Sequence, residues 1–140
     1  MEQLELQSEG IYALTTRSIT ISVEPEYLEE HSDPDLHRFV WAYHVSITNE
    51  GTETVQLKSR YWRITDELGQ VQEVTGDGVI GEQPLLGPGD SFDYSSGTPL
   101  PTASGIMQGH YVMETPTGES FFVMIPVFSL DSPDRMRRLH

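Results

Sequence analysis

Gly76–Asp77–Gly78–Val79–Ile80–Gly81 spells G-x-G-x-x-G, the pattern of a dinucleotide-binding turn. That chemistry needs a strand before the glycines and a helix after them, because the pyrophosphate rests on free N–H groups at the helix N-terminus. Val71 to Val74 can supply the strand, but Pro84 and Gly87–Pro88–Gly89 stop any useful helix. Asp77 would also set a negative charge beside a phosphate. The expected role is a glycine-rich connection between strands, with a small anion nest of backbone N–H groups as the alternative.

The other residues able to do chemistry are scattered. Of the histidines at 31, 37, 44, 110 and 140, His44 and His110 fall on predicted strands with polar neighbours, and they could converge across two paired strands. No local spacing matches a zinc or calcium motif. Acyl transfer would need a serine activated by histidine and an oriented carboxylate. Ser95, Ser96 and Ser104 qualify by type only; Ser96–Gly97 and Ser104–Gly105 read as turn dipeptides, and no G-x-S-x-G elbow exists. Asp90 and Asp93 read as ordinary surface acids. The expectation is a protein that is not an enzyme and carries no cofactor and no metal.

The elements that must position these residues are strands. Phe39, Trp41, Tyr43, Val45 and Ile47 alternate with smaller or more polar residues, the period of a strand with one face in a core. Ile19, Ile21 and Val23 repeat the pattern in a first strand expected to begin near Tyr12. Asn49–Glu50–Gly51 reads as a hairpin turn with Gly51 at positive φ, followed by a return strand from Val55 to Thr65. Both faces of that strand are mixed, which predicts cover on both sides or a bulge. Ser104–Glu114 and Ser120–Leu130 form the last predicted hairpin. Its second strand is apolar on both faces, so it is buried twice over or carries a contact surface; Pro126 marks an edge or a bulge. Seven or more such strands, without a convincing helix, predict an all-β immunoglobulin-like or fibronectin-type-III-like sandwich.

Composition narrows the function classes. The chain has 140 residues, no cysteine, and 8 basic against 22 acidic residues, a formal net charge of -14. Disulfides and thiolate chemistry are excluded. A surface of that sign repels phosphate backbones, so nucleic acid is not an expected partner. No window approaches the roughly 20 apolar residues of a membrane span. The start, MEQLELQSEG, has neither the basic region nor the apolar stretch of a signal peptide, so a cytoplasmic location is expected. Residues 1–10 read as a flexible acidic segment and residues 132–140, with Arg135, Arg137 and Arg138, as a flexible tail.

Several ordered stretches together resemble the ApaG family. They are Ser59–Arg60–Tyr61–Trp62–Arg63–Ile64–Thr65, Glu73 through Pro84 with the glycine motif, Pro88–Gly89–Asp90 with Phe92 through Gly97, Met107 through Tyr111, and Ile125–Pro126–Val127–Phe128. The likeness covers about residues 12–131, with residues 11–131 taken as the domain. It implies a fibronectin-type-III-like sandwich in a small stand-alone protein without established enzymatic activity. It also implies an association with cobalt resistance and magnesium or cobalt efflux, the property behind the family's other name, CorD. Relatives inside F-box proteins and a polymerase-interacting protein look like protein-interaction modules. The family's glycine motif falls on Gly76, Gly78 and Gly81, where its suggested pyrophosphate role conflicts with the missing helix.

The candidate binding surface is Tyr61, Trp62, Arg63, Gly76, Asp77, Gly78, Gly81, His110 and Tyr111, with an unidentified protein as partner. The alternative is a divalent cation or a phosphate or pyrophosphate compound held at Gly76–Gly81. Monomer and homodimer both fit. The placement expects Trp62 and Tyr111 to be exposed.

Overall fold

The structure is a computed structural model that describes residues 2–8 and 10–133. Two antiparallel sheets face each other. The first runs β1 (Glu2–Ser8), β2 (Ile11–Thr16), β3 (Ile19–Tyr27), β4 (Phe39–Asn49) and β8 (Ser91–Leu100). The second runs β10 (Ser120–Asp131), β9 (Ser104–Glu114), β5 (Val55–Asp66) and β6 (Val71–Asp77), with the two-residue β7 (Leu85–Leu86) pairing β5 beyond β6. This is the all-β sandwich the alternation predicts.

The core lies where the two alternating faces meet. Ile21, Val23, Trp41, Val45 and Ile47 come from the first sheet; Leu57, Trp62, Met107, Tyr111, Val123, Ile125 and Phe128 come from the second, all nearly or wholly buried. Tyr43 and Trp62 meet across the interface at 5.1 Å between ring centroids, and Trp62 meets Phe128 edge-on at 6.1 Å. Such ring pairs contribute about 0.5–1.5 kcal/mol beyond the area they bury. The indole N–H of Trp41 donates to the Asp131 carbonyl at 3.2 Å, so its polar end is satisfied.

Local irregularities decide which side chains face out. The β5 ladder shifts register between Leu57 and Ser59, so Leu57, Arg60, Trp62 and Ile64 all turn inward while Ser59, Tyr61 and Arg63 turn outward. The mixed faces of the sequence therefore record a bulge. A second shift, between Ile125 and Phe128 on the edge strand β10, spans Pro126 and leaves Val127 outside with Phe122 and Met124.

Three expectations need correction. Asn49–Glu50–Gly51 is no hairpin turn: β4 and β5 lie in different sheets, and Gly51 does not have positive φ. The buried Asn49 side chain organises the crossing, donating to the Glu53 and Leu86 carbonyls and accepting the Gly51 N–H at 3.0 Å. Ser96–Gly97 lies inside β8, paired with β4, and Ser104–Gly105 inside β9, paired with β5 and β10; this pairing extends chains that their composition alone would bend. The acidic start pairs with β2 as β1; Leu4 and Leu6 repeat at the strand period and Gly10, at φ 84°, makes the turn. Of the C-terminal tail, Ser132 is buried with its N–H on the Ala103 carbonyl, and 134–140 lie outside the described residues.

Candidate functional site

The outward face of the second sheet carries a ladder of rings. Cross-strand register puts Tyr61 opposite His110, and His110 opposite Met124. Tyr61 stacks on His110 at 5.1 Å between centroids, and His110 packs on Phe122 at 4.6 Å. The Tyr61 hydroxyl donates to Glu73 Oε2 at 2.6 Å on the neighbouring strand, a bond to a charged acceptor that raises the phenol's pKa. Partial burial lowers the His110 pKa, because desolvation disfavours the charged imidazolium. Phe122 is 61 % exposed and Val127 56 %, with Ile106 nearly as open. Tyr61, Arg63, Gln108, His110, Met124 and Val127 surround a cleft of about 200 Å³ on this face.

Two of the aromatic residues placed on that surface from sequence are elsewhere. Trp62 and Tyr111 are core residues, 2 % and 0 % exposed. The bulge at Lys58 turns Trp62 inward, and Tyr111 alternates with His110 on β9. The Tyr111 hydroxyl is hydrogen-bonded to the Tyr94 hydroxyl across the sheets, and burial pushes both phenols above their ordinary range.

The glycine loop is a tight reversal at the end of β6. Gly78 and Gly81 have φ of 62° and 77°. A side chain at Gly78 would put its Cβ 2.1 Å from the Glu82 carbonyl oxygen. Three N–H groups of an anion nest are already committed: Gly78 donates to Lys58, Val79 to Glu82, and Glu82 to Val79. β7 follows in place of a helix. At Gly76 the missing Cβ instead makes room for Arg60, whose Nη1 would lie 2.8 Å from it. Arg60 donates from Nη1 to the carbonyls of Asp77 at 3.2 Å and Gly78 at 2.9 Å. Asp77 is exposed at the rim of a cleft shared with Tyr61, Thr75 and His110.

His44 does not converge with His110; each stands on the outer face of its own sheet. His44 Nδ1 lies 2.6 Å from Ser95 Oγ, and Nε2 lies 2.9 Å from Glu26 Oε1. This serine–histidine–carboxylate chain was visible in the sequence only as residue types. With Nε2–H donating to the carboxylate, Nδ1 of the neutral ring accepts the serine proton. Acyl transfer also needs donors around a developing oxyanion. Ser95 Oγ stands off the sheet, whereas the strand N–H groups lie in its plane. Among the described residues no three His, Asp or Glu side chains gather as a metal-holding set. Asp90 accepts the Gly87 N–H at 2.8 Å and shapes the turn before β8.

Phe122, Met124 and Val127 belong to the outer face and were not selected from sequence. Their signal was the two-sided apolarity of β10. Arg60 and Ile80 had none, because a bulge and a strained turn place them.

The arrangement is that of an antiparallel, immunoglobulin-like or fibronectin-type-III-like sandwich. The family model for the ApaG domain matches residues 29–115. The chain belongs to the ApaG family. It is 62 % identical over 130 residues to protein ApaG of Parvibaculum lavamentivorans, covering 93 % of this chain and all of that protein. The ApaG protein of Rhizobium meliloti is 59 % identical over the same shares. A crystal structure of a protein described as ApaA from Bordetella pertussis superposes with a TM-score of 0.80 at 50 % identity, covering 82 % of this chain and 94 % of that one.

Proposed function

We propose that the protein is a non-enzymatic binding module that docks a partner protein on the outer face of its second sheet. The ring ladder Phe122–His110–Tyr61 carries this reading. Single exposed apolar residues are normal on any surface, but here Phe122, Val127 and Ile106 share one sheet face with Met124, Tyr61 and His110. A flat aromatic centre edged by Arg63, Glu73 and Glu114 has the make-up of an interface: rings for area, polar groups for register. The family's association with cobalt resistance and cation efflux fits a module that acts on that process through its partner.

A photo-crosslinking residue placed at Phe122 tests this in the cells that make the protein. Specific adducts are expected from Phe122 and from Val127, and none from Ser22 on the opposite outer face. Equal adducts from all three positions, or none from the first two, overturn the reading.

A further inference from the structure

The two sides of the sandwich are not alike. On one side β10 lies against β2 and β3, tied by Met124 N–H on Thr16 Oγ1 at 3.3 Å and by Arg17 on Glu119 at 3.1 Å. On the other, β8 ends its sheet, and no comparable approach joins it to β5 or β6 among the described residues. The Asn49 N–H donates to the Asp90 carbonyl, which fixes the phase of the β4–β8 ladder. Phe92, Tyr94, Ser96 and Thr98 then spend their N–H groups on β4. Asp93, Ser95 and Gly97 turn theirs to the open side, where Pro99, next in that row, has none to offer.

Behind this edge a cavity of about 110 Å³ opens between the sheets, lined by Tyr43, Arg60, Trp62, Ile80, Tyr94 and Ser96. Arg60 is the only cation in that lining, and among the described residues no carboxylate lies within salt-bridge distance of it. Its Nη1 is held by two carbonyls, which aim the guanidinium without neutralising it. At the rim stands Ile80, 59 % exposed at φ 41°, a left-handed conformation that a β-branched residue rarely takes. Val79, wholly buried, anchors the turn that presents it.

We propose that this side of the sandwich is a strand-addition site: an extended segment of a partner protein pairs with the free edge of β8 and seats a carboxylate on Arg60. Main-chain bonds to Asp93, Ser95 and Gly97 supply affinity, and the cavity selects the side chain that enters it. Charge complementarity sets the occupant. The guanidinium fork matches a carboxylate, and Ile80 covers the apolar part of the added strand. A second copy of β8 does not meet these needs. Its inward residues Phe92, Tyr94, Ser96 and Thr98 include no acid, and pairing would bring two chains of net charge -14 together. The site lies on a different part of the surface from the ring ladder and does not depend on it.

Selection of displayed random ten-residue peptides on the full chain, followed by NMR of the labelled protein with the enriched peptides, tests the proposal. Enriched peptides are expected to share an Asp or Glu flanked by β-branched or aromatic residues, and to shift and protect the amides of Asp93, Ser95 and Gly97. Asp93→Pro, which removes one outward N–H, should weaken binding about tenfold or more. Replacing the peptide's acid by its amide should weaken binding by a similar factor on the wild-type chain and leave Arg60→Gln unaffected. Failure to enrich such peptides, or enriched peptides that shift only amides of β9 and β10, overturns the strand-addition site. Concentration-dependent protection of the β8 amides without any peptide overturns the occupant in favour of a second copy.

Discussion

Tyr111→Phe removes one of two hydroxyls that meet inside the sandwich and strands the other. Tyr111 is wholly buried and Tyr94 is 7 % exposed, and they are hydrogen-bonded to each other. A net bond of about 1 kcal/mol is lost, and a buried hydroxyl left without its partner costs about 1–3 kcal/mol. The single variant should therefore lose about 2 kcal/mol. Combining Tyr94→Phe with Tyr111→Phe should cost less than the sum of the two single changes, because no unsatisfied group remains.

The same pair leaves a signature in alkali. Burial raises both phenol pKa values above the ordinary tyrosine range. The native state thus keeps two protons at a pH where the unfolded chain has released them. Stability is complete below about pH 10 and falls as pH rises above it. Each phenol contributes a limiting slope of about 1.4 kcal/mol per pH unit, so by about pH 11 the two together have removed close to 3 kcal/mol. That is a large share of the 5–15 kcal/mol typical of a domain. Urea unfolding between about pH 8 and 11, followed by tryptophan fluorescence at constant m, reads both effects. The double variant should keep about 3 kcal/mol that the wild-type chain loses over that range. Parallel curves for the two proteins would refute the placement of these hydroxyls in a closed interior.

Gly78→Ala should destabilise by about 2 kcal/mol or more, because the new Cβ meets the Glu82 carbonyl and φ is 62°; a rise in unfolding midpoint would show that the turn is not as drawn. Ile80→Asn should raise stability by about 1 kcal/mol, since asparagine tolerates the left-handed region and the exposed isoleucine holds it under strain. A falling midpoint in thermal unfolding would instead make Ile80 a packing residue.

The fold was legible because its signal is periodic. Strand β4 alternates buried and half-buried side chains through all of its length, and each apolar residue on it went where the period puts it. The site was legible only in part, because one-residue shifts decide which side chains come out. A register shift near Lys58 turns Arg60 and Trp62 in and Tyr61 and Arg63 out, and the rule of alternation carries no information about where such a shift falls. Tyr61 and Trp62, both expected on the surface, are neighbours on one strand and cannot face the same way; Tyr61 takes the outer face and Trp62 the core. Topology hid the rest. A turn of Asn–Glu–Gly composition suggests a hairpin, yet Asn49 caps a crossing between sheets through bonds to residues 4 and 37 positions away.

The residues left to do chemistry follow from the same geometry. A sheet offers side chains on its faces and N–H groups only along its edges. His44 links Ser95 to the Glu26 carboxylate on a face, where the strand N–H groups lie in the sheet plane. The open side at β8 has donors, a cavity and a cation together. A sandwich can thus bind an extended chain with elements it already has, whereas stabilising an oxyanion would require N–H groups turned out of the sheet plane. Inserting one glycine after Ser95 would introduce a β-bulge and take one N–H out of the ladder. One donor does not make an oxyanion-binding pair, so such a variant should show no esterase burst with an activated phenyl ester. A burst would mean that the face of the first sheet already holds a donor that the in-plane ladder excludes.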